Sequence, residues 1–173
     1  MTIEALLEGH TPTETWLATD DAARILSDAA TRTRLYASMH PCAEPSHAPL
    51  LRALLAHEVA FRSDAANDDD DRFENLYWCA LLLSQCAELR DVLALWRAKQ
   101  TNFDTGANFD VQFLVLSGVK ETLAYLAQSN DPDASKAASY IAACSDAGNF
   151  EGMDEWLEGR RVYFDPELSH ALS

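Results

Sequence analysis

The second half of the chain repeats its pattern of apolar residues at an interval of 30 residues. When the segment 73–164 is shifted by this interval, Glu88 aligns with Gly118 and Gly148, and each lies just after an apolar run. The same shift aligns the large apolar residues Trp96, Leu126 and Trp156. This half of the chain therefore contains three units of equal length.

Each unit has the pattern of a helical hairpin, in which a short break separates two segments of apolar periodicity. After each break the apolar residues return at intervals of three and four, which places them on one face of a helix. Glycine closes a helix in the left-handed conformation without steric cost, and Gly118 and Gly148 lie where such a residue is needed. The first break has Glu88 instead, so we expect its turn to differ in detail.

A helical hairpin cannot bury its apolar face alone, and stacking three or more of them creates a continuous core. The repeated pattern therefore predicts an all-α fold of stacked antiparallel helical hairpins, arranged either as an α-solenoid-like stack or as an irregular helical bundle. A chain of 173 residues with 48% hydrophobic content is long enough to form one such domain without disulfides or metals.

Two segments resemble known kinds of protein. The apolar run before the first break, together with AELRDVLALW, resembles a tetratricopeptide-type hairpin, although the interval of 30 residues differs from the period of about 34 in that family. The stretch NFDTGANFDVQFLVLSGVKETLAYL is similar to small acidic all-α bacterial proteins of uncharacterised function. Some of those proteins are antitoxin-like immunity proteins, so this second resemblance implies a bacterial protein that neutralises a partner.

An aspartate-rich segment, 64–72, divides the chain in this interpretation. Five aspartates lie between Asp64 and Asp71 without an apolar residue larger than alanine, which is typical of a solvated linker. The expected parts of the single domain are N-terminal helices in 1–63, this linker, three stacked hairpins in 73–164 and a tail in 165–173.

Capping residues predict the helix starts in the N-terminal part. Thr11 precedes Pro12, which suits the first position of a helix, so we expect Thr11 to cap one helix. Asp20 or Asp21 is expected to cap the next helix. Three prolines predict a loop over 40–49, because proline disfavours a helix at its own position and at the preceding residue.

The net charge limits the classes of partner. The chain has 13 basic and 28 acidic residues, which gives a formal charge of −15. Nucleic acids and anionic membranes attract basic surfaces, so we expect neither as a partner. An acidic surface steers a basic protein towards it, but acidity also keeps a protein soluble without any partner, and the sequence leaves both interpretations open.

Several features are typical of a cytoplasmic protein. No apolar run reaches the roughly 18–20 residues that span a bilayer, and the start MTIEALLEGH lacks the basic region of a secretion signal. The four cysteines form no C-x-x-C pair, and Cys79 and Cys86 are spaced to lie on one helix face in the core. Free buried cysteines are compatible with a reducing compartment.

No segment has the spacing of a metal or cofactor site, and we expect neither. The aspartates of 68–71 lack the alternating ligands and the glycine of a calcium loop. His57 and Glu58 begin a zinc-protease motif, but the second histidine is replaced by Phe61, so we expect Glu58 to face solvent or to pair with Arg62. A further group, His40, Cys42 and His47, matches no common zinc spacing.

The strongest candidate for a binding site is the segment 101–110, which repeats the tripeptide Asn-Phe-Asp between two predicted hairpins. We expect Phe103 and Phe109 to anchor this connection, while Asp104, Asp110 and Gln112 point outward together. Loops on a rigid scaffold often bind ligands, although capping of helices and turns also explains these residue types. The candidate binding residues are Asn102, Asp104, Asn108, Asp110, Gln112 and Glu74.

The function that these features favour is a non-enzymatic cytosolic protein-binding module, with immunity-type neutralisation of a basic partner as its sharper form. Exposed aromatic residues are expected to contribute most of the binding energy, and at least one of Tyr77, Trp78 and Trp96 is expected at the surface. The alternative is an enzyme with a carboxylate site between hairpins, formed by Glu74, Asp104 and Asp110. The sequence contains no recognisable nucleophile motif or phosphate-binding loop.

Overall fold

The computed structural model describes residues 1–67 and 71–165, and this part of the chain contains eleven α-helices, short 3-10 turns and no strand. The all-α prediction is therefore confirmed. The α-helices are α1 (Ile3–Leu7), α2 (Glu14–Leu17), α3 (Asp20–Ser27), α4 (Ala29–Met39), α5 (Ala48–Ser63), α6 (Asn75–Gln85), α7 (Val92–Lys99), α8 (Phe103–Asn108), α9 (Val119–Gln128), α10 (Ala134–Asp146) and α11 (Met153–Tyr163). The 3-10 turns are Pro45–His47, Ala65–Asn67, Asp71–Glu74, Leu89–Asp91 and Val111–Leu114.

Helix α6 lies at the centre of the fold. Every residue from Asn75 to Ser84 is buried, because α6 is apolar around most of its circumference and other helices cover all its sides. The buried apolar residues form one cluster that extends from Leu6 to Phe164. The helices before and after the aspartate-rich segment, α5 and α6, pack along each other and contribute to this same core. Residues 68–70 of that segment lie outside the described residues.

Threonine hydroxyls cap the first helices, and the two predicted caps are wrong. Thr13 caps α2, where its Oγ1 accepts a hydrogen bond of 3.2 Å from the backbone N–H of Trp16. Thr19 caps α3 in the same way. Asp20 and Asp21 instead occupy the first turn of α3, where the positive end of the helix dipole stabilises their negative charges.

The three breaks of the 30-residue pattern all lie at turns, but the elements beside them differ. Gly148 has a φ angle of +78° just after the end of α10, as predicted for a glycine that ends a helix. Gly118 also has a positive φ angle, +101°, but it is the N-cap of α9, so the prediction that it ends a helix is wrong. At the first break, Ala87 takes the left-handed conformation with φ +55°, one position before Glu88. The first arm of the second unit is only the 3-10 turn 111–114, and α9 packs mainly against α10.

Glu58 is buried, so the expectation that it faces solvent or pairs with Arg62 is wrong. Its carboxylate accepts hydrogen bonds from Arg32 Nε at 2.6 Å and Nη2 at 3.1 Å, and from the hydroxyl of Tyr36 at 2.8 Å. Arg32 also donates to the backbone carbonyls at the end of α3. This network joins α3, α4 and α5. Its hydrogen bonds offset the desolvation free energy that the burial of the two charges costs.

The aromatic and thiol side chains near α6 are more deeply buried than the sequence indicated. Tyr77, Trp78 and Trp96 are all buried, so the expectation that one of them lies at the surface is wrong. Cys79 and Cys86 are buried, as their spacing predicts, and burial raises the pKa of the Cys86 thiol to about 11. No helix in the described part of the chain has the length and apolar character needed to cross a membrane.

Candidate functional site

A cavity of about 270 Å³ lies between α11, the 3-10 turn before α6, the end of α8 and the 3-10 turn that follows it. Its lining residues are Phe73, Glu74, Tyr77, Asn108, Asp110, Phe113, Arg160, Tyr163 and Phe164. Three of the six residues predicted from the sequence, Glu74, Asn108 and Asp110, therefore meet at one cavity. Two other concavities, of about 10 and 20 Å³, are too small for anything larger than water.

Asp110 forms one charged wall of the cavity. It lies where α8 passes into the 3-10 turn 111–114, and its Oδ2 accepts hydrogen bonds from Arg160 Nε at 2.5 Å and from Trp156 Nε1 at 3.2 Å. The donors are four residues apart on α11 and therefore project from the same face of that helix. The Trp156 ring also packs edge-on against Phe113, with 5.4 Å between centroids. These contacts fix α11 beside the cavity.

Glu74 forms the opposite charged wall. It ends the 3-10 turn before α6, and its carboxylate accepts a hydrogen bond from the hydroxyl of Tyr163. This bond, together with burial, raises the pKa of Tyr163 to about 12, because loss of the proton would place a phenolate beside a carboxylate. The Cζ of Arg160 lies 5.5 Å from the centroid of the same ring, in cation–π contact.

Aromatic rings form most of the remaining wall. Five of the nine lining residues are Phe73, Tyr77, Phe113, Tyr163 and Phe164. Burial raises the pKa of the Tyr77 hydroxyl, which is neutral at physiological pH. The charged lining residues are two carboxylates, Glu74 and Asp110, and one guanidinium, Arg160, so together with the aromatic faces the lining favours a positively charged group over an anion.

The other predicted residues have structural roles or lie outside the cavity. The side chain of Asn102 caps α8 through the N–H of Thr105 at 2.8 Å, and its Nδ2 donates to the carbonyl of Arg62 at the end of α5. Gln112 donates to the carbonyl of Asn149 at 2.9 Å, which ties its turn to the loop before α11. Asp104 is exposed on α8.

The expected outward group of Asp104, Asp110 and Gln112 is therefore not formed, since each of the three has a different environment. The three carboxylates of the enzyme hypothesis also do not share one cleft. Glu74 and Asp110 line the cavity and Asp104 does not. Asn108 is the link between the two regions, because it lines the cavity and its Nδ2 donates to the carbonyl of Asp104 at 3.0 Å.

The two phenylalanines of the repeated tripeptide have opposite environments. Phe109 anchors the connection as predicted, since it is buried and packs edge-on against Tyr77 and Phe113. Phe103 is 88% exposed, so the prediction that it is an anchor is wrong. It is the first residue of α8, whose inner face is formed by the buried Thr105. Lys99 holds that face to α7 by donating to the carbonyls of Gly106 and Phe109 at 2.6 and 2.8 Å.

Sequence reasoning missed Arg160 and Tyr163, which complete the cavity. They contact partners 50 and 89 residues away, and no local pattern reveals such contacts. One signal was present: Trp156, Arg160 and Tyr163 are spaced by four and three residues and form a stripe along one side of α11. A polar residue within an aromatic stripe indicates a helix face that packs against a polar site.

In residues 1–67 and 71–165, no three histidine, cysteine or acidic side chains are grouped so that they would hold a metal ion. No protein-family model matches the sequence, and comparisons with curated proteins and with solved structures found no match. The resemblances to tetratricopeptide hairpins and to immunity proteins stay predictions. Function must therefore be argued from the cavity and its surroundings.

Proposed function

We propose that this chain is a non-enzymatic, cytosolic protein-binding module that docks a basic protein partner around the cavity, as an immunity-type protein does when it neutralises its target. One observation carries the proposal. Five large hydrophobic side chains are exposed in the described part of the chain, and four of them lie on elements that line the cavity, namely the 3-10 turn before α6, α8 and α11. These four, here called the binding face, are Phe73, Phe103, Val162 and Tyr163, with exposed fractions of 38%, 88%, 50% and 51%.

Three of these four exposed side chains are aromatic, and all four lie on elements that line one cavity. Contiguous apolar patches with a polar rim mark interaction sites, because covering them removes apolar surface from water. Aromatic residues are also enriched at the centre of protein interfaces, where a few of them provide most of the binding energy. Phe103 is the most exposed member of the binding face, and we expect it to be a main contact.

The charge of the chain favours a basic partner. Its formal charge of −15 creates a field that attracts a positively charged protein and raises the rate of encounter. Glu74, Asp104 and Asp110 lie on the same segments as the binding face, so electrostatic steering and apolar contact act at one place. A toxin domain with a basic active-site surface is a partner of this kind.

The test has two stages, capture of a partner and measurement of its association. The chain serves as bait in a lysate of its native host, and a captured basic protein is then purified. Its association rate constant is measured by stopped-flow fluorescence over a range of salt concentrations. We expect the rate to fall steeply with salt, because ions screen the steering field within about 8 Å at physiological ionic strength. A rate that does not change with salt would contradict the proposal.

A matched pair of variants locates the contact. Asp104→Asn and Asp20→Asn each remove one negative charge from an exposed aspartate in the first turn of a helix. Only Asp104 lies beside the binding face, so D104N should slow association more than D20N. Phe103→Ser should mainly increase the dissociation rate, because it removes apolar contact and leaves the charge unchanged. Equal effects of D104N and D20N would place the interface elsewhere.

A further inference from the structure

We infer that the cavity receives the side chain of one arginine of the partner protein, with its guanidinium group against Glu74 and between the rings of Phe73 and Tyr163. This inference rests on the proposed function and names the group that the binding face recognises.

Among the charged residues that line the cavity, the carboxylate of Glu74 has no partner of opposite charge within the lining. Asp110 and Arg160 neutralise each other through their 2.5 Å contact. Within the part of the chain that the structure describes, the side chain that donates to Glu74 is the neutral hydroxyl of Tyr163. The three ionised lining residues therefore sum to one negative charge. A single cation compensates this charge, whereas an anion would increase it.

Two further charges lie close to the lining residues. Arg62 is buried, with its Cζ 5.8 Å from the centroid of the Phe73 ring. Asp104 is exposed on α8, and its backbone carbonyl accepts a hydrogen bond from the lining residue Asn108. Neither charged side chain lines the cavity, so the net charge of the lining itself is that of Glu74.

The aromatic walls already hold guanidinium groups of the same chain. Arg160 lies over the Tyr163 ring at 5.5 Å, and Arg62 lies over the Phe73 ring at 5.8 Å. Two of the five rings thus have the geometry in which an arginine is attracted to an aromatic face. A planar guanidinium also forms paired hydrogen bonds with a carboxylate, which a lysine ammonium does not. The cavity therefore suits arginine better than lysine.

The size of the cavity is consistent with one side chain. Its volume of about 270 Å³ is below the roughly 300–1,000 Å³ of pockets that enclose drug-sized ligands. Four exposed apolar residues lie on the segments that line it, so a polypeptide that inserts one arginine also covers them. A free small cation would leave those residues in water, which favours a protein as the source of the arginine.

The test uses two peptides that differ only in charge. Acetyl-Gly-Arg-Gly-amide is titrated into the full-length, isotopically labelled protein, and binding is followed by amide chemical shifts in nuclear magnetic resonance spectra. The control peptide contains citrulline, which has nearly the shape of arginine and no charge. We expect shifts around Phe73, Glu74 and Tyr163, and affinity at least roughly tenfold weaker for citrulline, because a charge-assisted hydrogen bond is lost. Equal affinity of the two peptides would overturn the inference.

Two variants separate a specific site from general attraction to an acidic protein. Glu74→Gln keeps the size of the side chain and removes its charge, whereas Asp20→Asn removes the charge of an exposed aspartate on α3, outside the cavity. We expect E74Q to weaken binding of the arginine peptide roughly tenfold and D20N to change it little. Urea unfolding of both variants checks that the fold is intact. Equal loss in both variants would show attraction to the surface as a whole and overturn the inference.

The captured partner distinguishes failure of this inference from failure of the proposed function. Salt-dependent association that is unchanged in E74Q would overturn the arginine site and leave docking of a basic partner intact. If the arginine peptide binds through Glu74 but the association of the captured partner does not depend on salt, the arginine site stands and the proposed docking of a basic partner is contradicted. Agreement of both measurements would assign the cavity to an arginine of the partner.

Discussion

The carboxylate of Glu58 accepts two hydrogen bonds from the guanidinium of Arg32 across 26 residues of sequence, and each side chain is only 1% exposed. Two opposite charges are thus removed from water at the junction of α4 and α5. Burial of such a pair costs desolvation free energy that the hydrogen bonds offset only when both partners are present. The pair therefore makes the N-terminal packing specific rather than merely strong.

Removal of one partner of this pair should destabilise the fold strongly. We expect Arg32→Met or Glu58→Gln to lower the free energy of unfolding by about 3–5 kcal/mol, because the remaining buried charge has no counterpart. The double variant R32M/E58L should lose less than the sum of the two single losses. Urea unfolding followed by circular dichroism provides the measurement. Asp21→Asn, in the exposed pair of Asp21 and Arg24 at the start of α3, is the control and should lower the free energy of unfolding by no more than about 1 kcal/mol.

Two glycines should respond to alanine in opposite directions. Gly118 has φ +101°, a conformation that side chains disfavour, so Gly118→Ala should lower the free energy of unfolding by about 1–3 kcal/mol. Its new Cβ would also overlap with Oε2 of Glu121, whose side chain must move. Gly159 lies within α11 with open space around it, so Gly159→Ala should stabilise the fold by about 0.5–1 kcal/mol. The free energy of unfolding of both variants is measured with denaturant. A change in the same direction in the two variants would contradict the prediction.

The hydrogen bond between Tyr163 and Glu74 should be visible in a titration. The pKa of Tyr163, raised to about 12, should fall towards the ordinary value of about 10 in Glu74→Gln, since the neighbouring negative charge is removed. Because the folded pKa is raised, this bond stabilises the fold below pH of about 10, and the contribution is lost as the pH rises through 12. Ultraviolet absorbance of tyrosinate follows the titration. Tyr163→Phe identifies its signal, and an unchanged titration in E74Q would refute the assignment.

The four cysteines should differ widely in reactivity towards a disulfide reagent. Cys42 is exposed and should react first. Cys79 and Cys86 are buried and their thiol pKa values are raised, to about 11 for Cys86, so little thiolate is present at neutral pH. They should react only when the protein unfolds. Cys42→Ser should remove the fastest phase of labelling, and rapid labelling of Cys79 in the native protein would contradict the packing of α6.

The elements that the sequence predicted well are those set by local patterns. The apolar run around α6 and the positive φ of Gly118 follow from helix periodicity and from the lack of a side chain in glycine. The capping residues were less certain, because threonine and aspartate are both good caps and several stand close together. Thr13 and Thr19 cap their helices since each lies three residues before a free backbone N–H.

The elements that the sequence did not predict depend on contacts between distant residues. The pairing of Glu58 with Arg32 was missed because Arg62, four residues away, is an equally good partner in sequence terms. The exposure of Phe103 was missed because an aromatic residue next to a cap usually packs inward. Half of the candidate residues were found at the cavity, but Arg160 and Tyr163 join it only through the docking of α11.

One wall of the cavity is a helix that contributes no residue to the fully buried interior. Phe164, just after the end of this helix, α11, stacks on Trp78 at 5.6 Å between centroids. The helix itself is held by partly buried side chains that pack against the core, Met153, Trp156 and Leu157, and by the hydrogen bonds of Trp156, Arg160 and Tyr163. Local opening of α11 should therefore require less free energy than opening of α6, and its amide hydrogens should exchange sooner. An arginine side chain held against Glu74 and between the rings of Phe73 and Tyr163 would join α11 to the turn before α6. Binding and the local folding of this helix are thus linked, and a tight partner should protect α11 from exchange.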